Sequence, residues 1–234
     1  MHFFDKPPLQ YVTGPRPHYA FIWLHGLGAD GHDFASFVEA FADTTDQAVR
    51  FILPHAPVQA VTLNGGTLMP AWFDLYGTRA EDAQDETGIR RAAEAITHLI
   101  AEQEKYGIPA ERVVLGGFSQ GGAVALYTAL TGPKPLAAVI GLSTYLPLAR
   151  HFLEAVPPIN TATPVFLGHG IDDAMIPYPF AEKTRGVLGA RGVAVAFHTY
   201  PIDHSVSDAE IRDLHAFLTE TLGGADLGAS SVNR

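Results

Sequence analysis

The stretch that decides the fold is Val113-Val114-Leu115-Gly116-Gly117-Phe118-Ser119-Gln120-Gly121-Gly122. It begins as an apolar, β-branched run typical of a buried strand, and residues 123–130 after it have the composition of a helix. The turn between the two follows the pattern G-x-S-x-G. Its outer glycines are required because side chains there would collide where the strand and the helix nearly touch. We therefore predict a sharp strand-to-helix turn with Ser119 at its centre.

Ser119 in such a turn is a candidate nucleophile. A serine between flanking glycines, after a buried strand and before a helix, is the nucleophile-elbow pattern. A serine hydroxyl is a poor nucleophile until a base takes its proton, so the pattern requires a histidine that a third group orients. We interpret the turn as catalytic rather than as a glycine-rich turn with an idle serine.

The histidine should follow Ser119 in the chain, because this pattern places its groups in the order serine, acid, histidine. His198 falls inside a predicted strand and His215 inside a predicted helix. His204 falls in the turn at residues 201–205, at the carboxyl end of the last predicted strand, where sheets of this kind place active sites. We predict His204 as the base.

The acid should follow the preceding predicted strand, where Asp172 and Asp173 stand side by side. Only one of two neighbouring loop side chains usually faces a given partner, and the residues alone leave both open. Asp203, next to the histidine, is poorly placed to orient it and ranks third.

Backbone amides are the expected oxyanion hole. The first long predicted strand ends in the loop Leu24-His25-Gly26-Leu27-Gly28. An N–H group from this loop and the N–H of the residue after the nucleophile would together stabilise a tetrahedral intermediate. We predict the N–H groups of Leu27 and Gln120 for this role.

A rival interpretation concerns the same loop. Gly26-Leu27-Gly28-Ala29-Asp30-Gly31 matches G-x-G-x-x-G, the fingerprint of dinucleotide-binding sites. The next predicted strand ends in Leu53-Pro54-His55, without the acidic residue that would hold a ribose hydroxyl. We therefore reject a dinucleotide cofactor.

Metal and redox chemistry is disfavoured by composition. The chain has no Cys, which excludes disulfides, thiolate metal sites, iron–sulfur clusters and a cysteine nucleophile. A site built from His25, His169, Asp172 and Asp173 would lack the helical histidine pair of zinc proteases. We predict no metal and no cofactor.

The net charge of the chain disfavours some classes of binding partner. The formal net charge of −10 would repel phosphate backbones and anionic lipid headgroups, so we expect no nucleic-acid partner. The first eight residues lack the features of a signal peptide, and no apolar run reaches membrane-spanning length. We expect a cytoplasmic protein without a stable membrane anchor, and a homodimer stays open.

Short apolar runs alternate with stretches long enough for helices. This rhythm predicts a mostly parallel sheet. The strands are predicted at residues 19–24, 49–53, 113–117, 137–142, 164–168 and 193–200. Helices are predicted at residues 86–105, after Ser119, from near Pro177 and over about 207–222. With 234 residues and 47% apolar residues, we predict one domain over 1–222 and a flexible tail over 223–234.

The motifs together resemble the phospholipase/carboxylesterase family of the α/β-hydrolases, which contains acyl-protein thioesterases and bacterial carboxylesterases. The resemblance covers residues 19–222. Its marks are His25-Gly26-Leu27-Gly28, Met69-Pro70-Ala71-Trp72-Phe73-Asp74, the stretch around Ser119, His169-Gly170 followed by Asp173 and Pro177, and His204-Ser205. An Asp commonly follows the His-Gly pair in the family, whereas this chain has Ile171 there.

The resemblance implies a fold, a triad and a reaction. The fold is an α/β-hydrolase fold, with helices on both faces of a mostly parallel central sheet and a short covering loop instead of a full cap domain. The triad is Ser119, Asp173 and His204, and the reaction is hydrolysis of a carboxylic ester through an acyl-enzyme on Ser119, without a cofactor.

Other substrates and one non-enzymatic function remain open. The same machinery would serve an acyl-protein thioesterase or a lysophospholipase, so the predicted partner is a small acyl ester or thioester. A catalytically silent protein that only binds an acyl ligand is the alternative outside the enzymes.

Apolar residues are frequent in residues 54–77, a segment too long for a plain connector. Five of them are predicted to line an acyl pocket: Leu63, Met69, Trp72, Phe73 and Leu75.

Overall fold

A computed structural model describes residues 3–77, 82–154 and 160–229, with side chains described as far as residue 223. A seven-stranded sheet runs through its centre in the order β1-β3-β2-β6-β7-β8-β9. The strands are β1 (Leu9–Val12), β2 (Tyr19–Leu24), β3 (Val49–Leu53), β6 (Val113–Phe118), β7 (Ala138–Leu142), β8 (Val165–Gly170) and β9 (Val195–Tyr200). All neighbours pair in parallel except β1, which runs antiparallel to β3 at the edge. The predicted sheet is therefore confirmed.

Helices cover both faces of this sheet. They are α1 (Ala35–Phe41), α2 (Glu86–Glu102), α3 (Gln120–Thr131), α4 (Ala149–Glu154), α5 (Pro179–Ala190) and α6 (Asp208–Ala229). Side chains of β2 alternate between two buried clusters, because successive residues of a strand point to opposite faces. Ala20, Ile22 and Leu24 pack with α2 and α3. Tyr19, Phe21 and Trp23 pack with α1 and α6.

A small hairpin stands apart from the central sheet. Its strands β4 (Val58–Val61) and β5 (Thr67–Pro70) pair antiparallel, and Gly65 and Gly66 adopt positive φ angles between them. The hairpin occupies the segment in which a covering loop was expected. It was not predicted as strands, because its residues are largely exposed and show no buried face.

Two helix boundaries differ from the sequence predictions. The helix predicted from Pro177 begins at Pro179, which takes the favourable first helical position instead. The regular helix predicted over 86–105 ends at Glu102 and tightens into a 3-10 turn before Gly107, whose positive φ angle ends it.

The helix α6 extends further than predicted. It continues to Ala229, seven residues beyond the predicted end at Leu222, so the first part of the predicted tail is helical. Residues 230–234 lie outside the described residues. Within the described part of the chain, no helix has both the length and the hydropathy that crossing a membrane requires.

The helix α6 carries one carboxyl group, that of Glu210, inside the protein. Glu210 is fully buried, and within the described residues neither of its carboxylate oxygens has a hydrogen-bond partner. Gly168 in β8 makes room for it, since a Cβ there would collide with the Glu210 carboxylate. Burial, with a smaller contribution from Asp213, raises the pKa of Glu210 to about 7.

The raised pKa of Glu210 predicts that the stability of the protein depends on pH through this group. Glu210 keeps its proton in the folded state up to about pH 7, whereas an unfolded glutamate releases it near pH 4.3. The contribution of Glu210 to the free energy of unfolding should therefore fall as pH rises from about 4.5 to 7. We expect Glu210→Gln to raise Tm by several degrees at pH 8 and to have little effect at pH 5, as measured by calorimetry. Glu220→Gln, on the exposed face of the same helix, is the control, and equal effects of both variants would contradict the prediction.

Candidate active site

The turn between β6 and α3 has the predicted geometry. Ser119 adopts a φ of 55° and a ψ of −123°, which is strained for a residue with a side chain. Its N–H donates to Leu142 O at 2.9 Å, and Thr144 Oγ1 donates to its carbonyl at 2.6 Å. A Cβ on Gly121 would collide with the carbonyl of Leu24 in the neighbouring strand β2. The glycine is therefore required by the close approach of α3 to the sheet.

His204 lies in the turn after β9 and faces Ser119. Its Nε2 lies 3.0 Å from Ser119 Oγ, and its Nδ1 lies 2.7 Å from Asp173 Oδ2. The ring packs against Phe118, with 4.7 Å between the ring centroids, and the side chain keeps 19% of its surface exposed. The structure thus joins the serine, the histidine and one aspartate in a single hydrogen-bonded chain.

Asp173, and not Asp172, is the aspartate in this chain. Asp173 is buried, and its Oδ1 accepts hydrogen bonds from the N–H groups of Met175 and Ile176, each at 2.8 Å. These two bonds leave Oδ2 for His204. Asp172 is exposed, and its backbone N–H donates to Ile202 O at 3.1 Å.

Asp203, the third candidate for the acid, has a different hydrogen-bond partner. Asp203 accepts a hydrogen bond from Ser205 Oγ at 2.7 Å, within its own turn. His169 supports the aspartate loop instead: it is buried, and its Nε2 donates to Ile176 O at 2.8 Å. Burial lowers the pKa of His169, so the ring stays neutral near pH 7.

The two predicted oxyanion donors lie at the same cavity. Leu27 and Gln120 both line the space in front of Ser119. Gln120 is the first residue of α3, so its N–H has no acceptor within the helix. The loop that carries Leu27 is held by Gly28, whose N–H donates to Pro70 O at 2.8 Å. Their role as donors to an oxyanion stays a prediction.

His25 holds the other end of this loop. It is buried; its Nδ1 donates to Gly26 O at 2.8 Å, and its Nε2 accepts the N–H of Ala56 at 3.0 Å. Burial is the main cause that lowers the pKa of His25. The neutral ring is needed here, because a protonated Nε2 could not accept that hydrogen bond.

An apolar cavity of about 740 Å³ opens beside Ser119 and His204. Its volume lies within the range of small-molecule sites. Four of the five residues predicted for an acyl pocket line it: Leu63, Met69, Phe73 and Leu75. The hairpin and the residues after it therefore form one wall of the cavity.

Trp72, the fifth predicted pocket residue, is wrongly assigned. Its side chain is fully buried and belongs to the hydrophobic core rather than to the cavity wall. The indole N–H donates to the carbonyl of His25 at 2.8 Å, which draws the ring beneath the loop. An apolar pattern in a loop does not distinguish a side chain that lines a cavity from one that supports the wall from behind.

Several cavity residues were not predicted. They come from elements far apart in the sequence, and no local signal marks them: Phe34, Tyr145, Ile176 and Phe180. Burial raises the pKa of Tyr145 to about 12, so its hydroxyl stays protonated and can donate a hydrogen bond.

One cluster among the described residues has ligand types that bind metals. Asp30, His32 and His55 bring one ligand atom each to within 4.8 Å of one another. Internal hydrogen bonds already explain this arrangement. Asp30 Oδ1 bonds to both N and Nδ1 of His32 at 2.8 Å, and the N–H of Gly31 donates to His55 Nδ1 at 3.2 Å.

The fold and the site together define the class of the protein. A mostly parallel sheet covered by helices, with a strained serine at a strand-to-helix turn after the central strand, is the α/β-hydrolase arrangement. The order of serine, aspartate and histidine along the chain is that of the same class.

Comparisons with known proteins identify the family. The profile of the phospholipase/carboxylesterase family matches residues 12–222. Acyl-protein thioesterase 1 of Neurospora crassa is 40% identical over 227 residues, 93% of this chain and 92% of that protein. Acyl-protein thioesterase 1 of Mycosarcoma maydis is 37% identical over 225 residues, 90% of this chain and 94% of that protein. The chain belongs to the phospholipase/carboxylesterase family, and the resemblance seen in its motifs is confirmed.

Solved structures agree with this result. Acyl-protein thioesterase 2 of Zea mays matches 92% of this chain and 99% of its own, with a TM-score of 0.78 and 28% identity. SOBER1 of Arabidopsis thaliana matches 87% of this chain and 99% of its own, with a TM-score of 0.80 and 27% identity. These findings make the protein a hydrolase of the esterase and thioesterase type.

The two adjacent aspartates provide a matched test of the site. We expect Asp173→Asn to lower kcat by roughly 10³–10⁴, because the amide no longer holds the histidine in its productive tautomer. Asp172→Asn should change kcat by less than about 2-fold, since that side chain is exposed. Steady-state kinetics on a p-nitrophenyl ester, with melting curves for both variants, measures this. A larger loss in Asp172→Asn would show that the aspartate is misassigned.

Proposed function

We propose that this protein hydrolyses acyl thioesters through an acyl-enzyme on Ser119, in the manner of an acyl-protein thioesterase. The observation that carries the proposal is the hydrogen-bonded chain of Ser119, His204 and Asp173 at the mouth of an apolar cavity. The two curated relatives cited above support thioester over ester substrates, since both are named acyl-protein thioesterases. The carboxylesterase activity predicted from the sequence is the second candidate.

The reaction proceeds in two steps. His204 Nε2 takes the proton of Ser119 Oγ as the oxygen attacks the acyl carbonyl, and Asp173 stabilises the imidazolium that forms. The N–H groups of Leu27 and Gln120 donate to the oxyanion. His204 then returns the proton to the leaving thiol or alcohol, and an activated water molecule releases the fatty acid from Ser119.

The cavity supplies the selectivity for the acyl group. Its wall of Leu63, Met69, Phe73 and Leu75 binds the acyl chain, and burial of each methylene contributes about 0.8 kcal/mol. Ester and thioester hydrolysis require the same charge stabilisation at the carbonyl, so the triad serves both. The leaving group alone separates the two candidate functions.

Other sequence predictions concern the setting of this activity. The predicted substrate is a small acyl compound, and no stable membrane anchor is required for its hydrolysis. The lack of nucleic-acid partners stays a prediction that rests on charge, and the cytoplasmic location stays a prediction that rests on the absence of targeting and membrane-spanning patterns. A homodimer stays open.

A labelling experiment tests the nucleophile and the substrate class together. A fluorophosphonate should modify Ser119, as located by mass spectrometry, and Ser119→Ala should abolish both label and turnover. Matched pairs of an octanoyl thioester and an octanoyl oxygen ester should show a higher kcat/KM for the thioester. A preference for the oxygen ester would favour the carboxylesterase. No label and no turnover would instead indicate a silent acyl-binding protein.

The cavity wall makes a separate prediction. We expect Leu75→Trp to lower kcat/KM for a dodecanoyl ester at least 10-fold while changing acetate hydrolysis by less than about 3-fold, because the larger ring fills the space of the acyl chain. Leu68→Trp is the control, since Leu68 lies in the hairpin that precedes Leu75 and has 70% of its surface exposed. An unchanged chain-length profile in Leu75→Trp would rule out this cavity as the acyl site.

A further inference from the structure

The side chain of Gln120 is placed as precisely as its backbone. It is buried at the first position of α3. Its Oε1 accepts the N–H of Trp72 at 2.9 Å, and its Nε2 donates to the carbonyl of Phe73 at 2.9 Å. A buried carboxamide is costly unless it is paired, and here one side chain satisfies two backbone groups of the segment 70–73.

The same segment also holds the other half of the predicted oxyanion hole. The indole N–H of Trp72 donates to His25 O at 2.8 Å, and Pro70 O accepts the N–H of Gly28 at 2.8 Å. These two contacts flank Leu27 in the chain. Residues 70–73 therefore bridge the two loops whose N–H groups are predicted to meet at the oxyanion.

This bridge is at the same time a wall of the acyl cavity. Phe73 lines the cavity, and Met69 lines it just before the bridge begins. The far end of the segment is anchored by Asp85 at the start of α2, whose Oδ2 accepts the N–H of Asp74 at 3.0 Å. An acyl chain in the cavity would thus press on a segment that is bonded to both oxyanion loops.

We propose that Gln120 is a positioning residue whose carboxamide transmits occupancy of the acyl cavity to the oxyanion hole. The inference rests on the proposed function and adds a way in which the length of the acyl chain affects the rate of hydrolysis. A chain that packs against Phe73 restricts segment 70–73, and the carboxamide restricts the first turn of α3 with it. Better placement of the oxyanion-hole N–H groups strengthens hydrogen bonds that are made fully only in the transition state. Such bonds raise kcat rather than lower KM. Chain-length preference should therefore appear in kcat.

The test compares two substrates that differ only in acyl length, p-nitrophenyl acetate and p-nitrophenyl octanoate. Gln120→Met keeps the side-chain length and removes both hydrogen bonds. We expect it to lower kcat for octanoate roughly 10–100-fold, the scale of a small misplacement of catalytic groups, with KM nearly unchanged. For acetate, which does not reach the wall, we expect a smaller loss than for octanoate, so the ratio of kcat for octanoate to kcat for acetate should fall.

A matched control lies in the same region. Gln59 Nε2 donates to the carbonyl of Ala71 at 2.6 Å, so Gln59→Ala loosens the segment without touching the turn at Ser119. We expect the ratio of kcat values for octanoate and acetate to stay near that of the unmodified protein in this variant. A drop as large as that in Gln120→Met would overturn the specific role of Gln120.

A second variant adds a readout that loss of stability would not produce. In Gln120→Glu, a protonated carboxyl group can both accept from Trp72 and donate to Phe73, whereas a carboxylate faces that carbonyl without a proton. Burial raises the pKa of such a carboxyl group toward the pH range in which activity is measured. The ratio of kcat for octanoate to kcat for acetate should rise as pH falls from 8 to 6, and the ionisation of His204 cancels from this ratio.

Besides a large drop in Gln59→Ala, three results would overturn the proposal. Equal losses for both substrates in Gln120→Met, with a ratio in Gln120→Glu that does not depend on pH, would leave Gln120 a structural residue of the turn. A rise in KM for octanoate at constant kcat would assign Gln120 to the shape of the cavity. Absence of turnover of both oxygen esters and thioesters in the unmodified protein would refute the proposed function itself, and this inference with it.

Discussion

The close approach of α3 to the sheet is the constraint on which the rest of the structure depends. It forces Ser119 to a φ of 55° and leaves no room for a Cβ at Gly121 beside the carbonyl of Leu24. The strain is sustained by hydrogen bonds from the Ser119 N–H to β7 and from Thr144 to the Ser119 carbonyl. With the serine held at the end of β6, every partner must come from a neighbouring strand end.

Parallel pairing supplies those partners. The strands β2, β8 and β9 all end at the same edge of the sheet as β6, and the segments after them carry the predicted oxyanion donor Leu27, together with Asp173 and His204. The buried polar groups at this edge are paired: His25, Asp173 and Gln120 each bond to at least two groups. Glu210 lies close to the same edge without such pairs, which explains the direction of its pKa.

Local patterns predicted the parts of the fold that are locally encoded. The strands of the parallel core are apolar on both faces, so their runs of apolar residues stand out in the sequence. The edge strand β1 and the hairpin β4–β5 are mostly exposed and lack such runs, so they were missed. The end of α6 was misplaced because its small residues gave no signal for continuing the helix past Leu222.

The sequence by itself determined the family, the candidate nucleophile and the histidine, because the glycine spacing around Ser119 and the order of the groups along the chain are local facts. The residues of the loop left Asp172 and Asp173 open and the family resemblance favoured Asp173, but only the tertiary structure shows that the Asp173 carboxylate bonds to His204. Only the tertiary structure also shows that Phe73 lines the cavity and Trp72 does not. Neighbouring residues in a loop differ in the direction of their side chains, and that direction depends on hydrogen bonds to distant elements. The N–H groups that hold Asp173 and the carbonyl that draws in Trp72 are such partners, and composition and spacing do not reveal them.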